Sequence, residues 1–131
     1  MLYDAVRTSH TYRIDIPPGT VLLNLNDERA MHRMKRYRIV EGIKDAAGWV
    51  ARAQRIPRLE RVQAYGLLHV PDNRKRDPGN WMPTQKAAID AIVRLGVLAD
   101  DDAEILADLG IRRGDVGRPL AYSLIIREVA L

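Results

Sequence analysis

The sequence predicts a single small α+β domain in which a mixed β-sheet packs against helices. Its 131 residues are enough for one domain with a buried core and too few for two. Stretches in which apolar and polar residues alternate are separated by stretches with apolar residues at helical spacing. The predicted order of elements is strand, helix, strand, helix, short helix and strand.

The first predicted strand covers residues 11–16, where Tyr12, Ile14 and Ile16 alternate with polar residues. A proline pair followed by glycine ends this strand, because proline has no N–H to donate to a sheet. Residues 1–10, which precede it, are expected to be weakly ordered.

A long basic helix is predicted for residues 28–54, after a polar segment at residues 24–27 that offers a side-chain cap. A second helix is predicted for residues 84–95, with Gly96 suited to the position just past its end. The basic residues crowd the first half of the long helix: Arg29, His32, Arg33, Lys35, Arg36 and Arg38.

Two further strands are predicted at residues 58–70 and 120–129, and the second of these is expected to lie inside the sheet. Between them, a capping pattern predicts a short helical turn over residues 101–109. Residues 111–118 are polar and rich in glycine, and therefore predict a turn-rich segment.

Charge is distributed unevenly along the chain. Residues 1–76 carry 15 Lys and Arg against 8 Asp and Glu, a balance of +7, whereas residues 77–131 carry 6 against 9, a balance of −3. A basic half beside an acidic cluster is typical of a protein that binds a polyanion next to a divalent metal. The alternative is that the basic residues only keep a small protein soluble.

The composition also excludes several classes of protein. The chain has no cysteine, which rules out disulfides, thiolate zinc sites and thiol catalysis, and agrees with a reducing cytoplasm. No segment approaches the roughly 20 apolar residues of a membrane helix, and the first residues lack the pattern of a signal peptide. We therefore expect a cytoplasmic protein that does not enter a membrane.

The acids of residues 76–105 (RDPGNWMPTQKAAIDAIVRLGVLADDDAEI) predict a metal site. Asp77 lies in a turn, Lys86 and Asp90 share a helix face, and three aspartates follow at 100–102. A Mg²⁺ ion would relieve the repulsion between such acids and promote attack on a phosphate. Each acid also has an ordinary explanation, as a turn residue, a partner of Lys86 or a helix cap.

The same stretch resembles the core motif of the RusA-type Holliday-junction resolvases. That motif contains an aspartate, a second aspartate followed by asparagine, a lysine, an aspartate four residues later, a glycine and an aspartate pair. The matching residues are Asp77, Asn80, Lys86, Asp90, Gly96, Asp100 and Asp101. The segments LNLNDERAMHRMKRYR and SLIIREV are also similar to the family, so the resemblance covers nearly the whole chain.

The resemblance implies a homodimeric endonuclease of bacteria or phages that uses Mg²⁺, or Mn²⁺ in its place, and no organic cofactor. Such an enzyme binds four-way DNA junctions and makes paired symmetric nicks during recombination and repair. It implies that Asp77 and Asp101 are catalytic metal-binding acids, that Lys86 is the essential basic residue, and that Asp90 and Asp100 are supporting metal ligands. The residues predicted to contact DNA are Arg29, His32, Arg33, Lys35, Arg36, Arg74, Lys75, Arg76 and Asn80.

The sequence departs from the family motif in two places. Gly79 occupies the position of the second aspartate, and the spacing from Asn80 to Lys86 is longer than usual. Two explanations stay open. Another acid (Asp72, Asp90 or Asp100) completes the site, or the protein binds branched DNA and cleaves it weakly or not at all.

Overall fold

A computed structural model describes residues 10–129 of the chain. The expectation of weak order at residues 1–10 therefore lies, except for His10, outside the described residues. The elements are β1 (Thr11–Asp15), α1 (Leu25–Ala30), α2 (Arg33–Ala53), β2 (Val62–Val70), a 3-10 helix (Pro78–Trp81), α3 (Met82–Leu95), β3 (Leu106–Val116) and β4 (Ala121–Glu128).

The four strands form one mixed sheet in the order β1-β4-β2-β3. β4 pairs antiparallel with both β1 and β2, while β3 runs parallel to β2. The parallel pair needs a crossover connection, and α3 supplies it. The α+β prediction is confirmed, and so is the prediction that the last strand lies inside the sheet.

The hydrophobic core lies between one face of the sheet and helices α2 and α3. Ile14, Leu124 and Ile126 point from the sheet into this core, and Ala47 and Ala88 meet them from the helices. Each fully buried aliphatic side chain of the size of Leu124 contributes roughly 1.5–3 kcal/mol. Among residues 10–129, none of the helices combines the length and the hydropathy needed to cross a membrane.

The single long helix predicted for residues 28–54 is wrong, because the structure has two helices. Asn24 caps the first of them by accepting a hydrogen bond from the Asp27 N–H, at 2.8 Å. The first helix ends at Met31, which has an extended backbone, and His32 then caps α2 through a hydrogen bond from the Met34 N–H to Nδ1, at 3.1 Å. Because the His32 side chain accepts a hydrogen bond from a backbone N–H, that N–H does not need a carbonyl of a continuous helix as its partner.

The short helix predicted for residues 101–109 and the turn-rich segment at 111–118 are also wrong, because β3 occupies most of this region. A turn capped by Asp102, whose carboxylate accepts from the Glu104 N–H at 3.0 Å, leads directly into the strand. β3 is an edge strand with one exposed side. Its polar residues therefore gave no apolar pattern from which a strand could be predicted. Gly110, with φ +81°, lies where the register with β2 shifts.

The remaining boundaries differ by a few residues. The strand predicted from residue 58 begins at Val62, because the Leu59 N–H bonds to the Val97 carbonyl and not to the sheet. α3 begins at Met82, two residues earlier than predicted, after the 3-10 helix. Its predicted end is confirmed, since Gly96 has φ +90° and closes the helix in the left-handed conformation.

Candidate functional site

Lys86 lies at the centre of the candidate site, on the exposed side of α3. Its Nζ is 3.6 Å from Asp90 Oδ1 and 3.8 Å from Asp101 Oδ2. Asp90 is one helical turn further along α3, so this pair follows from the sequence spacing. Asp101 comes from the loop after the helix, so the second pair depends on how the chain folds back.

The loop after α3 brings Asp101 to Lys86. Gly96 reverses the chain, and the buried side chains of Val97 and Leu98 then hold the loop against the core. Asp100 does not reach Lys86, and its Oδ1 instead accepts a hydrogen bond from the Asp101 N–H at 2.7 Å. Asp100 therefore helps to fix the backbone that presents Asp101.

Lys86 separates two grooves. The first, of about 420 Å³, lies between α3 and the α1–α2 pair and is also lined by Asp90, Arg36 and Lys44. The second, of about 450 Å³, lies between α3 and β3 and is lined by Asp101. The first groove carries the basic side chains of Arg36 and Lys44 together with the carboxylates of Glu28 and Asp90, and the second carries the carboxylates of Asp101 and Asp108.

Asp108, on β3, lines the second groove and was missed by sequence reasoning. Its Oδ1 accepts hydrogen bonds from Gln85 Nε2 at 2.7 Å and from the Gly110 N–H at 2.9 Å. Gln85 is fully buried and accepts in turn from the Tyr122 hydroxyl at 2.8 Å. Burial, together with the charge of Asp108, raises the pKa of Tyr122 well above its usual value, so this hydroxyl stays protonated as a donor.

Asp77 caps the 3-10 helix that precedes α3. Its Oδ1 accepts a hydrogen bond from the Gly79 N–H at 3.0 Å, and its carbonyl accepts from the Asn80 N–H at 3.0 Å. Among the described residues, the acids that pair with Lys86 are Asp90 and Asp101, and Asp77 is not one of them. The predicted turn role of Asp77 is present in the structure, and the carboxylate is exposed.

Asp72, the other acid considered as a replacement ligand, lies in the basic turn after β2. Arg76 Nη1 is 2.9 Å from its Oδ1. The N–H of Arg74 and the guanidinium of Arg76 hold the pKa of Asp72 below its usual value. Asp72 therefore stabilises the turn that carries the predicted DNA-binding residues Arg74, Lys75 and Arg76.

The predicted DNA-binding residues of the helical region lie on α1 and at the start of α2. Arg36 Nε forms an ion pair with Glu28 at 2.7 Å, and this pair lines the first groove. His32 is committed to capping α2 through its Nδ1. The exposed members of the predicted set are Arg29, His32, Arg33, Lys35, Arg36, Arg74 and Lys75, whereas Arg76 and Asn80 are half-buried.

The donor set of the second groove fits a hard divalent cation. Asp101 and Asp108 both line it, and Mg²⁺ is commonly held by one or two carboxylates together with waters and substrate phosphates. Within residues 10–129, no group of three or more acidic or histidine side chains is arranged to hold a metal ion. The four predicted ligands Asp77, Asp90, Asp100 and Asp101 thus do not form one closed set of protein ligands.

No protein-family model matches this sequence, and no curated protein matches it.

Proposed function

We propose that this protein is an endodeoxyribonuclease of the RusA type that needs a divalent metal and nicks four-way DNA junctions. The supporting observation is the position of Lys86 between Asp90 and Asp101, at the boundary of a groove lined by both basic and acidic side chains and a groove lined by two aspartates. An ammonium held between carboxylates beside a groove can stabilise the charge that develops on a phosphate during phosphodiester hydrolysis.

Each residue of the site has a role in this proposal. Lys86 donates to an oxygen of the scissile phosphate and offsets the charge that builds on it. Asp90 orients the Lys86 ammonium, and Asp101 and Asp108 would hold Mg²⁺ or Mn²⁺ in the second groove. When bound, such an ion lowers the pKa of a water and stabilises charge on the phosphate.

The DNA path follows from the charge of the first groove. Arg36 and Lys44 line it beside Lys86, and each also pairs with a glutamate, Arg36 with Glu28 at 2.7 Å and Lys44 with Glu41 at 3.6 Å. Arginine forks bind phosphate oxygens without reading sequence, so these contacts position the backbone. Cleavage of both strands of a two-fold symmetric junction requires two such sites, and a C₂ homodimer would provide them.

The second candidate is a protein that binds branched DNA and cleaves it weakly or not at all. Gly79 supports this alternative, since it replaces the second aspartate of the motif. The lack of a group of three ligating side chains among the described residues also supports it.

A nicking assay separates the two candidates. Purified protein is incubated with a labelled four-way junction in Mg²⁺, in Mn²⁺ and in EDTA. We expect paired nicks in either metal and none in EDTA, with loss of about 100-fold or more in Lys86→Met and in Asp101→Asn. Arg58→Met, an exposed loop residue outside both grooves, is the control and should cleave normally.

Tight junction binding with intact DNA in both metals would overturn the nuclease proposal in favour of the binding protein. Equal affinity for junction and linear duplex at physiological salt would overturn both candidates.

A further inference from the structure

The face of the sheet that points away from the helices carries a basic groove that the nuclease proposal does not use. Ala64, Leu124 and Ile14 point toward the helices, so the side chains that alternate with them point the opposite way. Tyr65 and Ile125 lie at the middle of this second face, which we call the outer face.

The sheet register places polar and basic residues in a row across the outer face. Arg127 on β4 lies directly opposite Thr11 on β1 and opposite Gln63 on β2. Thr11 and Arg127 are exposed and Gln63 is half-buried. Three neighbouring strands therefore present a hydroxyl, a guanidinium and an amide side by side.

Arg112, on the edge strand β3, is oriented by an aromatic ring. Its Cζ lies 4.7 Å from the centroid of the Tyr65 ring. A guanidinium stacked in this way loses little further freedom when it binds, while its N–H groups stay available to an anion. The Arg112 guanidinium is therefore preorganised to bind a planar or tetrahedral oxyanion.

These side chains line a groove of about 540 Å³, whose lining consists of Thr11, Gln63, Tyr65, Arg112 and Arg127 together with the apolar side chains of Leu109 and Ile125. No acid lines it. The nearest acid along β1 is Asp15, whose Oδ1 pairs with Arg13 Nε at 2.8 Å. Among the described residues, neither Arg112 nor Arg127 forms an ion pair with an acid.

We propose that this groove binds the phosphate backbone of a nucleic-acid strand, with Arg112 and Arg127 as its two phosphate ligands and Thr11 and Gln63 as hydrogen-bond donors. Two guanidinium groups that face no acid of residues 10–129 match an anionic partner, and a face of a second copy would bring further guanidinium groups against them. The outer face lies across the sheet from Lys86, so this binding does not depend on the nuclease proposal.

Fluorescence anisotropy with the full chain in EDTA tests the proposal, using a labelled 20-nucleotide oligo(dT) strand and a 20-base-pair duplex. Arg112→Gln and Arg127→Gln are compared singly and together with Arg58→Gln, which removes the same charge from the loop before β2. Substitution of such exposed side chains typically changes stability by no more than about 0.5 kcal/mol, so the variants are expected to fold.

We expect the double variant to bind the single strand at least about tenfold more weakly at low salt. The plot of log K against log salt should become shallower by roughly 0.7 for each arginine removed. Arg58→Gln should change the affinity less than twofold, and Arg127→Lys should retain most of it. A larger loss with the duplex than with the single strand would assign the groove to double-stranded DNA.

Unchanged affinity and salt slope in the double variant would overturn the proposal. Conversion of a dimer to a monomer in the double variant, with affinity unchanged, would instead make the outer face a contact between copies. The use of EDTA provides the separation from the nuclease site. The loss of affinity in the double variant is measured without the metal that cleavage requires, so it is expected whether or not the wild-type protein cleaves junctions.

Discussion

The two ion pairs of Lys86 add little to stability, because the lysine side chain is 71% exposed. Exposed ion pairs at 3.6–3.8 Å contribute at most about 1 kcal/mol, and often nothing measurable. The two carboxylates lie on either side of the ammonium.

Lys86→Met should therefore separate activity from stability. We expect junction nicking to fall about 100-fold or more, while the free energy of unfolding changes by no more than about 0.5 kcal/mol. Urea denaturation followed by circular dichroism measures the second quantity. A loss of several kcal/mol in that experiment would mean that Lys86 has a structural role. The loss of nicking could then not be assigned to catalysis.

Gly79 is the position at which this chain departs from the motif, and the structure shows what an acid there would meet. A Cβ added to Gly79 would lie 3.2 Å from Asp77 Oδ1, so a carboxylate at 79 would lie beside that of Asp77. Two adjacent carboxylates repel each other, and a divalent cation removes the repulsion.

If Asp77 also contacts the metal, as the resemblance implies, Gly79→Asp is expected to lower the Mg²⁺ concentration that gives half-maximal nicking by about tenfold, the lower end of the effect of ligand-shell changes on metal affinity. Gly79→Asn, which has the same size without the charge, is the matched control and should leave this concentration unchanged. If the two variants behave alike, Asp77 does not contact the metal.

His69 is fully buried on β2 and belongs to a chain of hydrogen bonds. The Asp115 N–H donates to its Nδ1 at 2.9 Å, so Nε2 carries the proton and donates to Ser123 Oγ at 2.8 Å. The Ser123 hydroxyl donates in turn to Asp15. Burial, with a smaller contribution from the charge of Arg118, lowers the pKa of His69, which stays neutral in the folded protein.

This histidine should make stability depend on pH. The unfolded chain binds a proton on His69 near its usual pKa of about 6.5, whereas the folded protein resists that proton. The free energy of unfolding should therefore fall as pH decreases from 7.5 to 5. Urea titrations across this range measure the effect. His69→Gln should be less stable at neutral pH and show a smaller fall, and an equal fall in both proteins would exclude His69 as its source.

At the scale of elements, α3 is held against the sheet by a close approach at Gly66. A Cβ added there would lie 2.1 Å from Gln85 Oε1 and 2.6 Å from Tyr122 Cε1. Gln85 is the residue that links Tyr122 to Asp108. The position of the second groove thus depends on a glycine in the middle of β2.

Gly66→Ala should destabilise the protein by about 1–3 kcal/mol, because the buried Gln85 and Tyr122 must both move.

Gly42→Ala is the opposite case. Gly42 is exposed in the middle of α2 and nothing described lies within 4 Å of a Cβ there, so alanine should stabilise by about 0.5–1 kcal/mol. Urea denaturation of the wild type and of each variant measures the two changes in the free energy of unfolding. Stabilisation by Gly66→Ala would contradict the packing described for α3.

The interpretation of elements from sequence succeeded where the signal was local. The cap at Asn24, the end of α3 at Gly96 and the alternation of β1 all depend on neighbouring residues. The prediction of β3 failed because the exposed side of this strand shows no regular spacing of apolar residues. The prediction of one long helix failed because the His32 side chain caps a new helix within a segment of helical pattern. Asp108 was missed for the same reason as β3, because the strand that presents it was not predicted.

At the scale of the whole molecule, the proposed activity requires two copies. Light scattering at micromolar concentration should give a mass twice the 14.8 kDa of one chain. Mixed dimers of wild type and Asp101→Asn should nick one strand of a junction and leave the other intact, because each copy would carry one site. Paired nicks by a protein that remains a monomer would contradict this expectation.

By itself, the sequence determined the α+β class, a few element ends such as that of α3 at Gly96, and the Lys86–Asp90 pair, since each follows from spacing and chain-breaking residues. Only the tertiary structure decided that Asp101 meets Lys86, that Asp108 joins the second groove, and that Arg112 and Arg127 share the outer face. These contacts join residues far apart in the chain. They depend on sheet order and on the return of the loop after α3, which long-range packing selects and no local pattern encodes.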